Sequence, residues 1–177
     1  LLSLLAGLDR PTRGELKVSR HDLNKSTDRE LTHFRRQVVG MVFQSFNLLP
    51  TLNVLENICL PALLAGKSVD ESRSKAMTLL QWLGLENRLN HLPAQLSGGE
   101  MQRTAIARAL INDPSIILAD EPTGNLDSRN GQIVIDLLAE LNRNWGRTVL
   151  IATHSTLADE KASVKIGIKD GMITGAS

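Results

Sequence analysis

Three short segments of this 177-residue chain carry residue types suited to phosphate chemistry. The first is Leu96-Ser97-Gly98-Gly99-Glu100-Met101-Gln102-Arg103. Two glycines let backbone N–H groups approach an anion closely. A helix that starts there adds partial positive charge, and Ser97 adds a hydroxyl donor. The second is Ile116-Ile117-Leu118-Ala119-Asp120-Glu121-Pro122. Its four apolar residues read as a buried parallel strand, which leaves Asp120 and Glu121 at the carboxyl end. In open α/β sheets that edge is where ligands bind. Asp120 is suited to holding Mg²⁺ on a nucleotide, partly through water. Glu121 points differently and can accept a proton from an attacking water.

The third group is a pair of strand ends. Gln44 follows Val38-Val39-Gly40-Met41-Val42-Phe43, where its amide can meet a metal or a water and so sense a γ-phosphate. His154 follows the strand Thr148 to Ala152. A histidine at that edge can hydrogen-bond a phosphate oxygen or orient Glu121. His21, His33 and His91 have no such context and read as surface residues. Taken singly, Ser-Gly-Gly is a common turn and Asp-Glu a solvated pair. In sequence and in this order they point to one phosphate site.

The elements that must position these residues follow from periodicity. Strands are predicted at about 14 to 18, 38 to 43, 116 to 119 and 148 to 152. Asp28 to Arg36 reads as a short charged helix. From about Asn53 to Leu110 helical signals dominate. Ala76, Leu79, Leu80 and Leu83 form an amphipathic stripe with Asp70 as start cap and Gly84 as stop. Ile106, Ala109 and Leu110 give the helix after Ser97 its apolar side. Ile133, Leu137, Leu138 and Leu141 mark a helix ending near Gly146. Val164 to Lys169 and Met172 to Thr174 read as a hairpin turning at Asp170-Gly171. The start, Leu1 to Leu8, reads as the tail of a helix stopped by Gly7.

Composition bounds the partners. There are 20 basic and 19 acidic residues, a net charge of +1. This argues against nucleic acid as a partner. One cysteine, Cys59, allows no internal disulfide and reads as a small buried hydrophobe. No apolar run approaches the ~20 residues that span a bilayer. Gly66-Lys67-Ser68 imitates the end of a phosphate-binding loop, Gly-x-x-x-x-Gly-Lys-Ser/Thr. The first glycine of that pattern would be position 61, which is Pro61, and the segment follows a helix rather than a strand.

In this order the motifs resemble those of the ATP-binding cassette ATPases. Gln44 resembles the Q-loop and Leu96 to Glu100 the family signature. Ile116 to Asp120 with Glu121 resembles the Walker B strand and catalytic base. Asn125-Leu126-Asp127 resembles the D-loop, and His154 the switch histidine. Val42 to Leu52 and Pro122 to Asp127 are similar to the lipoprotein-release and macrolide-export branch of bacterial transporters.

The resemblance implies an α/β, P-loop NTPase-like (RecA-like) parallel sheet core with a helical subdomain insert. It implies a core of residues 1–46 and 112–177 and an insert of residues 47–111. The family's N-terminal strands and phosphate loop would fall before Leu1. ATP and Mg²⁺ are the implied cofactors. Glu121 and His154 would be catalytic. Gln44, Ser97, Gly98, Gly99, Glu100, Asp120 and Asp127 would bind the nucleotide, with Gln44 and Asp120 on the metal. The implied partners are a second ATPase subunit, head to tail, and integral membrane permease subunits. The implied location is the cytoplasmic face of the inner membrane. The expected function is ATP hydrolysis driving a membrane partner, with these 177 residues inactive alone. The alternative is a degenerate, non-catalytic cassette acting as an interaction subunit.

Overall fold

Chain order and pairing set the architecture of this computed structural model, which describes residues 1–176. Helix α1 (Leu2–Leu5) stops at Gly7, whose φ of 63° lies in the left-handed region that glycine tolerates. Strands β1 (Lys17–Val18) and β2 (His21–Asp22) form a short antiparallel ribbon. The strand expected at 14 to 18 shrinks to its last two residues. Asn24 holds the rest as a loop, accepting from the Leu16 N–H and donating to the Gly14 carbonyl at 3.0 Å. His21 is half-buried rather than a free surface residue, edge-on to Phe34 at 5.1 Å.

Helix α2 (Asp28–Gln37) starts from a capping box, with Glu30 accepting from the Thr27 N–H at 2.7 Å. Strand β3 (Val39–Phe43) follows. Three helices come next: α3 (Val54–Leu64), α4 (Val69–Trp82) and α5 (Gly98–Leu110). The cap of α4 is Ser68 and not Asp70. Ser68 Oγ accepts from the Glu71 N–H at 3.2 Å, which places Asp70 in the first turn. Gly66, at φ 86°, makes the α3–α4 turn, so Gly66-Lys67-Ser68 is a helix–helix connection.

Strand β4 (Ile116–Asp120), helix α6 (Ser128–Arg143) and strand β5 (Thr148–Ala152) complete the core. The buried face of α6 runs through Val134, Ile135, Leu138 and Leu141, while Ile133 is exposed. Gly131 lies on this buried face, against Leu157 and Thr123. Strands β6 (Ile166–Lys169) and β7 (Met172–Ala176) form a hairpin whose residues are all exposed. Its turn is Asp170-Gly171, both left-handed, as the sequence predicts.

Strands β3, β4 and β5 form a parallel sheet with β4 in the centre. The period-2 alternation of β4 feeds two cores. Ile117 and Ala119 pack with α3, α4, α5 and α6. Ile116 and Leu118 pack with Leu31 and Phe34 of α2 and with Ala6 and Val18. Among the described residues β5 pairs on one side only.

Two links join α4 to the end of α6 and the turn after it, one of them through Asp113 before β4. Trp82 and Trp145 stack with ring centroids 4.7 Å apart, and the Trp82 indole N–H donates to Glu140 at 2.9 Å. Asp113 pairs with both Arg147 and Lys75. Cys59 is buried and free, and burial pushes its thiol pKa up. Among the described residues no helix is long and apolar enough to cross a membrane.

Candidate functional site

The parallel register aligns the carboxyl ends of the sheet. Phe43 pairs with Asp120, and Asp120 with Ala152. One residue further along each strand come Gln44, Glu121 and Thr153, so three predicted site segments leave the sheet at one edge. Asp120 is the exposed last residue of β4 and its carboxylate makes no hydrogen bond to the described residues. A free carboxylate at a strand end suits a hard, partly hydrated divalent cation.

Glu121 is held from both ends. Its N–H donates to the Ala152 carbonyl at 2.8 Å, extending the β4–β5 ladder by one bond. Its φ is 45°, unusual for a residue with a Cβ, and such strain clusters at functional sites. Its carboxylate accepts from the Thr153 hydroxyl at 3.0 Å and from the His154 backbone N–H at 2.9 Å. The His154 imidazole is fully exposed, with Nε2 3.7 Å from Glu121 Oε1. The backbone of His154 therefore fixes Glu121 while its ring remains free to meet a ligand.

Gln44 engages the turn before α6. The Asn125 side-chain amide donates to the Gln44 carbonyl at 3.0 Å, and Gln44 Nε2 returns a long bond of 3.5 Å to Asn125 Oδ1. A Cβ at Gly124 would lie 2.6 Å from Gln44 Nε2, so a side chain there would push the Gln44 amide off this turn. The Gln44 amide thus rests on Gly124-Asn125.

Ser97 caps α5 in a capping box. Glu100 accepts from the Ser97 N–H at 2.8 Å, the Ser97 hydroxyl at 2.9 Å and Arg88 Nε at 2.7 Å. The Arg88 bond first, and the Ser97 N–H next, lower the Glu100 pKa to about 2. Glu100 thus shapes the Ser97 turn. Gly98 lies against Leu126 and the Asn125 carbonyl, and a Cβ at Gly99 would overlap the Asn130 side chain. Asp127 caps α6, accepting from the Asn130 N–H at 2.8 Å and from its side-chain amide at 2.7 Å, and these bonds hold its pKa below the ordinary range. The glycine turn and the Asn125-Leu126-Asp127 turn are therefore one packed unit.

Three residues escape sequence reasoning. Thr153 is the side-chain donor to Glu121, and only its place before His154 signalled it. Arg108 donates to the carbonyls of Phe46 and Asn47, two consecutive left-handed residues after Gln44. Gln102 donates from inside α5 to the Pro122 carbonyl at 2.7 Å. The last two bonds join segments distant in sequence, and no local pattern announces them.

A family model described as ABC transporter matches residues 1–124. An ABC transporter ATP-binding protein of Thermotoga maritima is 45% identical over 175 residues, which is 99% of this chain and 74% of that protein. The lipoprotein-releasing system ATP-binding protein LolD of Cytophaga hutchinsonii is 42% identical, over 98% of this chain and 79% of its own. The ABC transporter ATP-binding protein YbbA of Escherichia coli K12 is 53% identical over 154 residues, 87% of this chain and 68% of that one. A dimeric structure of the ATP-binding cassette MJ0796, in a post-hydrolysis state bound to ADP and Pi, matches with a TM-score of 0.90 at 43% identity. It covers 99% of this chain and 78% of that one. The chain belongs to the ABC transporter family, as an ATP-binding cassette with the P-loop NTPase type of parallel sheet.

Proposed function

We propose that this cassette binds and hydrolyses ATP for a bacterial transporter of the export or lipoprotein-release type. The observation that carries the proposal is the Glu121 carboxylate, fixed by Thr153 and the His154 N–H next to the free Asp120. In this reading Glu121 takes the proton of the attacking water. Thr153 and the His154 N–H hold the carboxylate toward that water, so little reorganisation accompanies the step. The exposed His154 ring donates to a γ-phosphate oxygen. Asp120 and Gln44 would hold Mg²⁺, which when bound neutralises phosphate charge.

Ser97 is exposed at the start of α5, and with the Gly98-Gly99 backbone behind it serves the nucleotide of a second, head-to-tail copy. The dimeric form of MJ0796, a cassette of the same fold, supports the pairing of two copies. The membrane permease is the further partner, and the cytoplasmic membrane face the place of work. The name of the lipoprotein-releasing relative supports the lipoprotein-release type of system. These 177 residues contain no Gly-x-x-x-x-Gly-Lys-Ser/Thr segment, so on their own they are expected to show no measurable turnover.

The test is Mg-ATP hydrolysis by the complete gene product. Glu121→Gln should lower kcat by at least about 100-fold while nucleotide binding persists. Unchanged kcat refutes Glu121 as the base. Binding without turnover in the unsubstituted protein favours the non-catalytic interaction cassette. Turnover by the 177 residues alone, lost in Glu121→Gln, would overturn their expected inactivity.

A further inference from the structure

We propose that Gln102 is a positioning residue that couples the first turns of α5 to the Glu121 carboxylate through the Pro122 carbonyl. This rests on the reading of Glu121 as the base and adds a residue that no motif role covers. The Gln102 side chain is 0% exposed. Its Nε2 donates to the Pro122 carbonyl at 2.7 Å. A carbonyl only accepts, so the NH₂ must face Pro122 and Oε1 must point away. Oε1 is buried and has no hydrogen-bond partner among the described residues.

A half-satisfied buried amide is worse for stability than an apolar side chain of the same shape. Packing alone therefore disfavours glutamine at this position. What glutamine adds is one directed bond, and its target is the residue after Glu121. The proline ring fixes φ of Pro122, so ψ of Pro122 is the one soft torsion between the pinned carbonyl and the Glu121 Cα, and ψ of Glu121 the next, before its side chain. On its other side the Glu121 N–H is tied to Ala152. Glu121, strained at φ 45°, is thus clamped between β5 and α5.

Two close approaches stiffen the same junction. Gly98 packs on Leu126 and Asn125, and Gly99 on Asn130. The Gln102–Pro122 bond is the one hydrogen bond joining α5 to residues 121–130 among the described residues. A displacement of the Ser97 end of α5 therefore reaches Glu121 through this bond.

Amide hydrogen exchange on the 177-residue chain tests the coupling without nucleotide. The Glu121 N–H and the His154 N–H are the reporters, because one fixes the Glu121 backbone and the other its carboxylate. Gln102→Met keeps the length and removes the donor. It should raise exchange at both reporters at least about tenfold, while interior amides of α4 and α6 change by less than about twofold. Thr104→Val is the control. Thr104 is equally buried, but its hydroxyl bonds the Glu100 carbonyl within α5 at 2.8 Å, so the reporters should not respond.

A uniform rise across all amides, or no rise at the reporters, overturns the proposal. If Gln102→Met does not fold, the unsubstituted chain decides. The Gln102 side-chain NH₂ should exchange at least about 100-fold slower than that of exposed Gln37, and equal rates overturn the bond. In the complete ATPase, Gln102→Met should lower kcat about tenfold with KM for Mg-ATP within about twofold. Loss of both in equal proportion with stability overturns the positioning role. Full turnover by Glu121→Gln would remove the base reading and leave the exchange result standing.

Discussion

Glu100 offers a quantitative test of how the Ser97 turn is held. The perturbation is Glu100→Gln, which keeps the shape and one acceptor for the cap but removes the charge that Arg88 and Ser97 solvate. The native pKa is about 2 against an ordinary 4.5. A fall of that size is worth at most about 3.4 kcal/mol. The Arg88 side chain is 42% exposed, so water screens part of its share and about 2 kcal/mol remains. The sign follows from the direction of the shift. The native carboxyl is the stronger acid, so the unfolded chain binds the extra proton as pH falls. The contribution is complete above about pH 4.5, falls to less than half by about pH 3 and vanishes below about pH 2. Urea unfolding followed by circular dichroism should show the substituted chain less stable by about 2 kcal/mol at pH 7, with the gap narrowing by more than half at about pH 3. A gap that stays constant from neutral to acid pH, or none at neutral pH, refutes the reasoning.

Two further substitutions probe the frame. Gly40→Ala places a Cβ 2.5 Å from the Ala109 carbonyl, so β3 and α5 must separate. A loss of about 2 kcal/mol in urea unfolding is expected, and unchanged stability contradicts that packing. Arg108→Lys replaces a two-pronged donor by a point charge that cannot serve the Phe46 and Asn47 carbonyls together. Limited proteolysis within residues 44–50 should rise about tenfold with little change in global melting, and equal cleavage refutes the latch.

Much of the architecture was legible because it rests on local pattern. The apolar run Ile116 to Ala119 had to be a buried strand, and the Leu79-Leu80-Leu83 spacing had to be one helix face. With those elements placed, Asp120, Glu121, Gln44 and His154 had to share an edge, as the parallel register places them. What stayed hidden depends on contacts between distant segments. Asp70 and Ser68 are both good caps, and only the Ser68–Glu71 geometry distinguishes them. The face of α6 that buries Gly131 against Leu157 and leaves Ile133 exposed is set by packing with distant segments. Glu100 looks like a ligand-facing residue until Arg88, twelve residues earlier, claims its second oxygen. Gln102 and Arg108 lie on an ordinary-looking helix, and their targets are carbonyls, which have no sequence identity.

The Trp82–Trp145 stack has a spectroscopic consequence. The chain has two tryptophans and no tyrosine. All of its indole emission therefore originates at one junction, where α4 meets the turn after α6. Intrinsic fluorescence of these 177 residues is a gauge of that junction and carries no indole at the sheet edge with Glu121. A rotation of α4 against α6 separates the rings and frees the Trp82 N–H from Glu140, which changes both intensity and wavelength. Partner titrations on these 177 residues can thus follow α4 without a label, while any melting curve recorded this way reports the parting of two indoles.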